Sequence, residues 1–201
     1  MKTILYMVRH AESPYSIGTE RTRGLTQEGL LHANKVTEIL MDEGIDLIFS
    51  SPYARAILTV EGLAKQLNLD IRIVEDLRER HFVGEDIHIS DEQFMTAFND
   101  SFDDFEIALP GGESNRDCQS RSVKVLKEII EGNKGKKIAV GTHGNVMTMM
   151  IHYFDSSYGY DFLNQLTKPD IYKMVFDGLE LIGVSRLWND LWANQQDCDI
   201  T

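Results

Sequence analysis

The chain has 201 residues, 42% hydrophobic and 26% charged, a composition that suits one ordinary globular domain with a substantial core. Its formal charge of −12 argues against nucleic acid or an anionic membrane as the main partner, since both require a basic face. Cys118 and Cys198 are too few and too far apart for a disulfide framework or a zinc site, and no apolar run approaches the roughly 18 residues of a membrane helix.

Met1-Lys2-Thr3 enters a strand directly, without a secretory leader, so a cytoplasmic address with both thiols free is expected. The apolar run Ile4 to Val8 reads as a buried strand of a mostly parallel sheet, and it stops at Arg9 and His10. Ligands of such sheets bind just past the carboxyl ends of the strands. Pro14 to Leu25 mixes Pro, Gly, Ser and Thr with Arg21 and Arg23, and reads as a loop over that edge. Thr26 is the expected N-cap of a helix that ends at Gly44.

Ile45 to Phe49 is the next buried strand, and Ser51-Pro52 signals a helix start that puts Arg55 in the first turn. Ile71 to Val74 is a short strand, followed by the charged run Glu75 to Glu85. From Asp86 to Leu109 the chain is acidic, with Phe94, Phe98, Phe102 and Phe105 at helical spacing, which predicts a helical insertion over the site at about 84–112. Pro110 to Ser114 is a turn before a helix from about Asn115 to Ile130. Lys137 to Gly141 is a further strand, and His143 follows it directly before an apolar helix. Ile171 to Phe176 and Leu179 to Val184 form a closing hairpin, and the tail at about 188–201 is expected to be weakly ordered.

Alternating strands and helices predict a three-layer α/β/α sandwich with a mostly parallel central sheet. In that arrangement Arg9, His10, Arg55 and His143 converge on one edge. Two guanidiniums and two imidazoles beside helix N-termini suit a phosphate dianion, because arginine binds phosphate oxygens bidentately. A neutral imidazole at phosphorus is a nucleophile that splits the displacement into two easier steps. The leaving alcohol then needs an acid, for which Glu79 is the candidate.

Arg9 to Ser13, Ser50 to Ala56, Leu77 to Phe82, Pro110 to Ser114 and Thr142 to Asn145 resemble, in order, the signatures of the histidine phosphatase superfamily, the phosphoglycerate mutase-like fold. The resemblance implies that His10 is the phosphorylated nucleophile and Glu79 the proton donor. It implies a phosphate pocket of Arg9, Arg55 and His143, with Ser16 and Gly144 beside them, and no metal or cofactor. Substrate contacts are expected from Arg21, Arg23, Arg80, His81 and Ser114.

Two departures stand out. The third residue of the first motif is Ala11 where the family usually has glycine, and the spacing from Glu79 to Gly84 is one residue longer than is common, which leaves Asp76 and Glu113 as alternative acids. The shorter chain favours water over a second substrate as acceptor. The expected function is therefore a metal-independent phosphatase acting on the phosphomonoester of a small metabolite, as a monomer or homodimer. A mutase-type transfer and a non-catalytic phospho-ligand scaffold are the alternatives.

Overall fold

The computed structural model describes residues 1–189. Its strands are β1 (Lys2–Arg9), β2 (Leu47–Ser50), β3 (Ile71–Ile73), β4 (Lys137–Thr142), β5 (Asp170–Asp177) and β6 (Glu180–Arg186). Its helices are α1 (Gln27–Leu40), α2 (Ala54–Leu67), α3 (Asp91–Asp103), α4 (Asn115–Gly132), α5 (Gly144–Phe154) and α6 (Tyr160–Gln165).

The strands form one sheet in the order β3-β2-β4-β1-β5-β6. The pairs β2–β3, β2–β4 and β1–β4 are parallel, whereas β5 returns antiparallel beside β1 and β6 closes the edge as a hairpin with β5. The expected sandwich therefore holds, with a mixed sheet whose parallel part carries the first three motifs' strands. Central strands are buried on both faces, and β1 shows why its run is continuously apolar. Leu5 and Met7 face a core completed by α4 and α5, while Tyr6 and Val8 face one completed by α1 and α2.

Register decides what meets at the carboxyl edge. Arg9 lies opposite Thr142 and Ser50 opposite Gly141, so β1, β4 and β2 end side by side. The ladder continues one residue further, with the His10 amide donating to the Thr142 carbonyl at 3.0 Å.

The insertion contains α3, whose N-terminus is closed by a reciprocal Ser90–Gln93 capping box. Its phenylalanines do pack on one face. Phe94, Phe98 and Phe102 follow one another with ring centroids 5.9 and 5.7 Å apart, joined by Phe82 at one end and by Tyr160 of α6 at the other. Helix α6 was not expected from the sequence. Phe105 leaves that face and packs on His152 of α5, centroids 5.0 Å apart.

Leu187 and Trp188, where a weakly ordered tail was expected to begin, are docked. The Leu187 amide donates to the Ile171 carbonyl at 2.8 Å, and Trp188 is buried edge-on to His32. The rest of that tail, including Cys198, lies outside the described residues; Cys118 is a buried free thiol. Among the described residues no helix is long and apolar enough to cross a membrane.

Candidate active site

The two histidines sit immediately past β1 and β4, their ring centroids 5.2 Å apart at an interplanar angle of 63°. His10 Nδ1 lies 2.7 Å from the Ala11 carbonyl oxygen. A carbonyl only accepts, so Nδ1 carries the proton and Nε2 keeps its lone pair. Arg55 Nε donates to that Nε2 at 3.2 Å. His10 is thereby held as the neutral tautomer with its basic nitrogen inside the site. Burial, then the Arg55 guanidinium, push its pKa well below the ordinary histidine value, although the Ala11 carbonyl pulls the other way.

His143 is the N-cap residue of α5, in extended conformation. Its Nε2 lies 2.7 Å from Ser51 Oγ, while its Nδ1 is buried with no protein partner. With the Ser51 hydroxyl donating to Nε2, Nδ1 keeps its hydrogen and offers a donor to an anion. Burial and the neighbouring His10 and Arg55 lower its pKa well below the usual value.

Arg55 is 1% exposed and is the second residue of α2, next to the Tyr53 N-cap. Arg9 turns from the end of β1 toward α6, where its Nη1 donates to the Leu166 carbonyl at 2.7 Å; its Nε is buried without a protein partner and remains available to a ligand. The absence of a side chain at Gly144 makes room for that guanidinium. A Cβ there would come within 3.0 Å of Arg9 Cζ, Nε and Nη2.

Glu79 lines a cleft of about 910 Å³ together with Arg9, Tyr15, Phe82, Phe98, Asn145, Leu166 and Lys168 among others. Its carboxylate accepts from the amides of Val146 at 3.0 Å, Asn145 at 3.2 Å and Arg80 at 2.9 Å. Two of these are orphan donors of the first turn of α5, where a carboxylate is favoured. The alternative acids are engaged elsewhere. Asp76 pairs with Arg78, and Glu113 pairs with Arg121 at 2.6 Å and with Arg78 at 3.2 Å; neither lines the cleft.

The residue replacing the usual glycine, Ala11, is fully buried, and its amide donates to Thr59 Oγ1 of α2 at 3.0 Å. That amide serves packing between β1 and α2, and the alanine methyl is accommodated in the core.

The expected substrate contacts divide. Arg23 is buried beside Ser13, with Nη1 donating to Ser13 Oγ at 2.9 Å and two nitrogens bound to Glu20. Arg21 instead pairs with Glu75 at the surface. Arg80 is buried in the foundation of the insertion, where Nη1 donates to Asn115 Oδ1 at 2.7 Å and to Ser101 Oγ at 3.1 Å. His81 is exposed, and its amide donates to Glu113. Ser114 caps α4 through a reciprocal box with Asp117. Ser16 is exposed on the loop, and Ser13 is the buried hydroxyl beside Arg23.

The sequence reading missed Ser51, Tyr53, Glu20 and the Tyr15–Lys168 pair. Tyr53 packs edge-on to His143, centroids 5.0 Å apart, and holds Arg55 over its ring at 4.9 Å. Lys168 Nζ bonds Tyr15 Oη at 2.9 Å across the mouth of the cleft. An aromatic and a serine next to Arg55 in the same turn were the available signal for the first two.

The model of the histidine phosphatase superfamily (branch 1) matches residues 5–177. The metal-independent phosphoserine phosphatase of Arabidopsis thaliana is 31% identical over 159 residues, covering 72% of this chain and 66% of that protein. Phosphoglycerate mutase-like protein 4 of the same plant is 30% identical over 156 residues, covering 71% of this chain and 67% of that protein. The match thus spans about two thirds of the length of these relatives. Among solved structures, mycobacterial glucosyl-3-phosphoglycerate phosphatase superposes with a TM-score of 0.73 over 92% of this chain and 97% of that one, at 20% identity, a likeness of fold. With its motifs assembled on one sheet edge and its family model matched over most of its length, the chain belongs to the histidine phosphatase superfamily, branch 1.

Proposed function

We propose that the chain is a metal-independent phosphomonoesterase that hydrolyses the phosphate ester of a small metabolite through a phosphohistidine on His10. The observation that carries this reading is the His10 tautomer, with Nδ1–H fixed on the Ala11 carbonyl and the Nε2 lone pair beside Arg55. Nε2 attacks phosphorus, the ester P–O bond breaks, and Glu79 in its acid form protonates the departing alkoxide. Water then attacks the phosphohistidine while the Glu79 carboxylate takes its proton, and the P–N bond breaks to return the free imidazole. Arg9, Arg55 and the His143 Nδ1–H supply the positive charge and donors on which the transferring group rests.

The relatives' names, which include both phosphoserine phosphatase and phosphoglycerate mutase-like protein, support a small phosphorylated metabolite as substrate. The test is turnover of an aryl phosphate in excess chelator, with an acid-free quench for phosphohistidine. Release of phosphate at an unchanged rate, with a labelled histidine, is expected. Abolition by chelator would sink the metal-independent reading, and a pocket that binds phosphate without ever labelling would leave only a scaffold.

Low histidine pKa values give this site a pH signature. Both imidazoles titrate in the unfolded chain near about 6.5 and are held neutral well below that in the folded one. The unfolded state therefore binds more protons once the pH drops below about 6.5, so stability falls from that point until the folded-state values are reached. Activity, by contrast, persists through the window in which an ordinary histidine becomes protonated. A rate profile of kcat/KM that lost its nucleophile near pH 6.5, as a free imidazole would, would contradict this.

A further inference from the structure

Each of the three nitrogens of the Arg55 guanidinium already has a partner. Nε donates to His10, Nη1 to the Glu20 backbone carbonyl, and Nη2 to Glu20 Oε2 at 2.9 Å. Arg23 grips the same carboxylate as a fork, with Nε on Oε1 at 3.0 Å and Nη2 on Oε2 at 3.2 Å. One carboxylate thus bridges two guanidiniums beside the candidate nucleophile, in the manner in which arginines hold phosphate oxygens.

The element presenting it is a small tied turn. The Arg23 and Thr22 amides donate to the Thr19 carbonyl at 2.9 and 3.1 Å, and the turn is entered through Gly18 at φ +84°, where a Cβ would press within 3.1 Å of Thr22 Oγ1. Although its carboxylate is so well bound, the Glu20 side chain is 63% exposed. It is released into water without dismantling any core. Partial burial raises its pKa, but the bonds and charges of Arg23 and Arg55 outweigh this and hold it below the usual carboxylate value.

We propose that Glu20 is a tethered occupant of the phosphate subsite and a specificity-determining residue for it: an incoming phosphate monoester must displace its carboxylate from Arg55 and Arg23. This rests on reading Arg55 as a phosphate ligand. A carboxylate on a short tether competes at an effective concentration on the order of millimolar or more. A dianionic monoester offers the arginines one more negative charge than Glu20 does and wins the exchange. A monoanion, such as a phosphodiester, offers no more than Glu20 already supplies and loses it. Glu20 therefore selects monoesters over diesters without touching either.

The opposite role is a fixed strut that aligns the two arginines, and binding separates the two. Inorganic phosphate, at a pH where it is chiefly the dianion, and dimethyl phosphate are titrated by calorimetry into the wild type, Glu20→Gln and Glu20→Ala. Both variants change an exposed side chain, and melting curves check their fold. We expect inorganic phosphate to bind about tenfold tighter to Glu20→Ala, with Glu20→Gln intermediate, because displacing a charge-assisted carboxylate is no longer needed. Dimethyl phosphate gains more, so the preference for the dianion narrows. Unchanged or weaker phosphate binding in both variants, alongside a wild type that still forms phosphohistidine, overturns the role of Glu20 alone. Failure of every form to bind inorganic phosphate overturns the phosphate subsite as well.

Discussion

His10→Ala should remain folded and hydrolyse aryl phosphates at least about 10⁴-fold more slowly than the wild type, because it removes the attacking atom and leaves only binding and charge stabilisation. The fold survives because the imidazole's bonds are few. The Ala11 carbonyl and Arg55 Nε each lose one partner, a cost of about 1–3 kcal/mol per buried group against a stability of about 5–15 kcal/mol. Initial rates, a melting curve and the acid-free quench make the measurement. A variant that melts like the wild type and still turns over would exclude His10 as nucleophile, whatever its position in the site.

Arg55→Ala should lower kcat/KM about 10³-fold, with most of the loss in kcat, because a fixed guanidinium is worth most where charge spreads over the transferring group. Arg55→Lys should recover little of that. A single ammonium on a flexible stem cannot present two parallel N–H donors to phosphoryl oxygens, as a planar guanidinium can. The split between parameters is informative. A loss confined to KM would assign Arg55 to uniform substrate binding, and a rate unchanged in both variants would remove it from the reaction.

The anchors of this site were legible because each follows an unmistakable strand. Arg9 and His10 end the apolar run of β1, His143 ends that of β4, and Arg55 opens the helix after β2, so parallel pairing alone gathers them. The placement of Glu79 was legible from its loop, and the fallback carboxylates were separated from it only by seeing that Asp76 and Glu113 are consumed by Arg78 and Arg121. What was not legible depends on partners distant in the chain.

Arg80 was expected among the substrate contacts, yet its partners Ser101 and Asn115 lie 21 and 35 residues away and bury it. Thr19 to Arg23 lies in the segment read as a loop over the strand edge, and nothing local shows Glu20 folding back on Arg55. Helix α6 spans only six residues, too short for a helical period to register. Trp188 is buried beside Leu187, whose amide bonds to the Ile171 carbonyl of β5, a docking that a polar tail does not advertise.

The attachment of Glu79 to α5 has a consequence for how such a site diversifies. The group assigned to handle the leaving alcohol hangs on the same first turn whose cap, His143, lies beside His10. Both therefore ride on one rigid bracket, and their separation is set by α5 and β4 rather than by the loops that carry Glu20 and Lys168 or the insertion that carries the phenylalanines. A change in those surrounding segments therefore leaves the placement of Glu79 against His143 as it is.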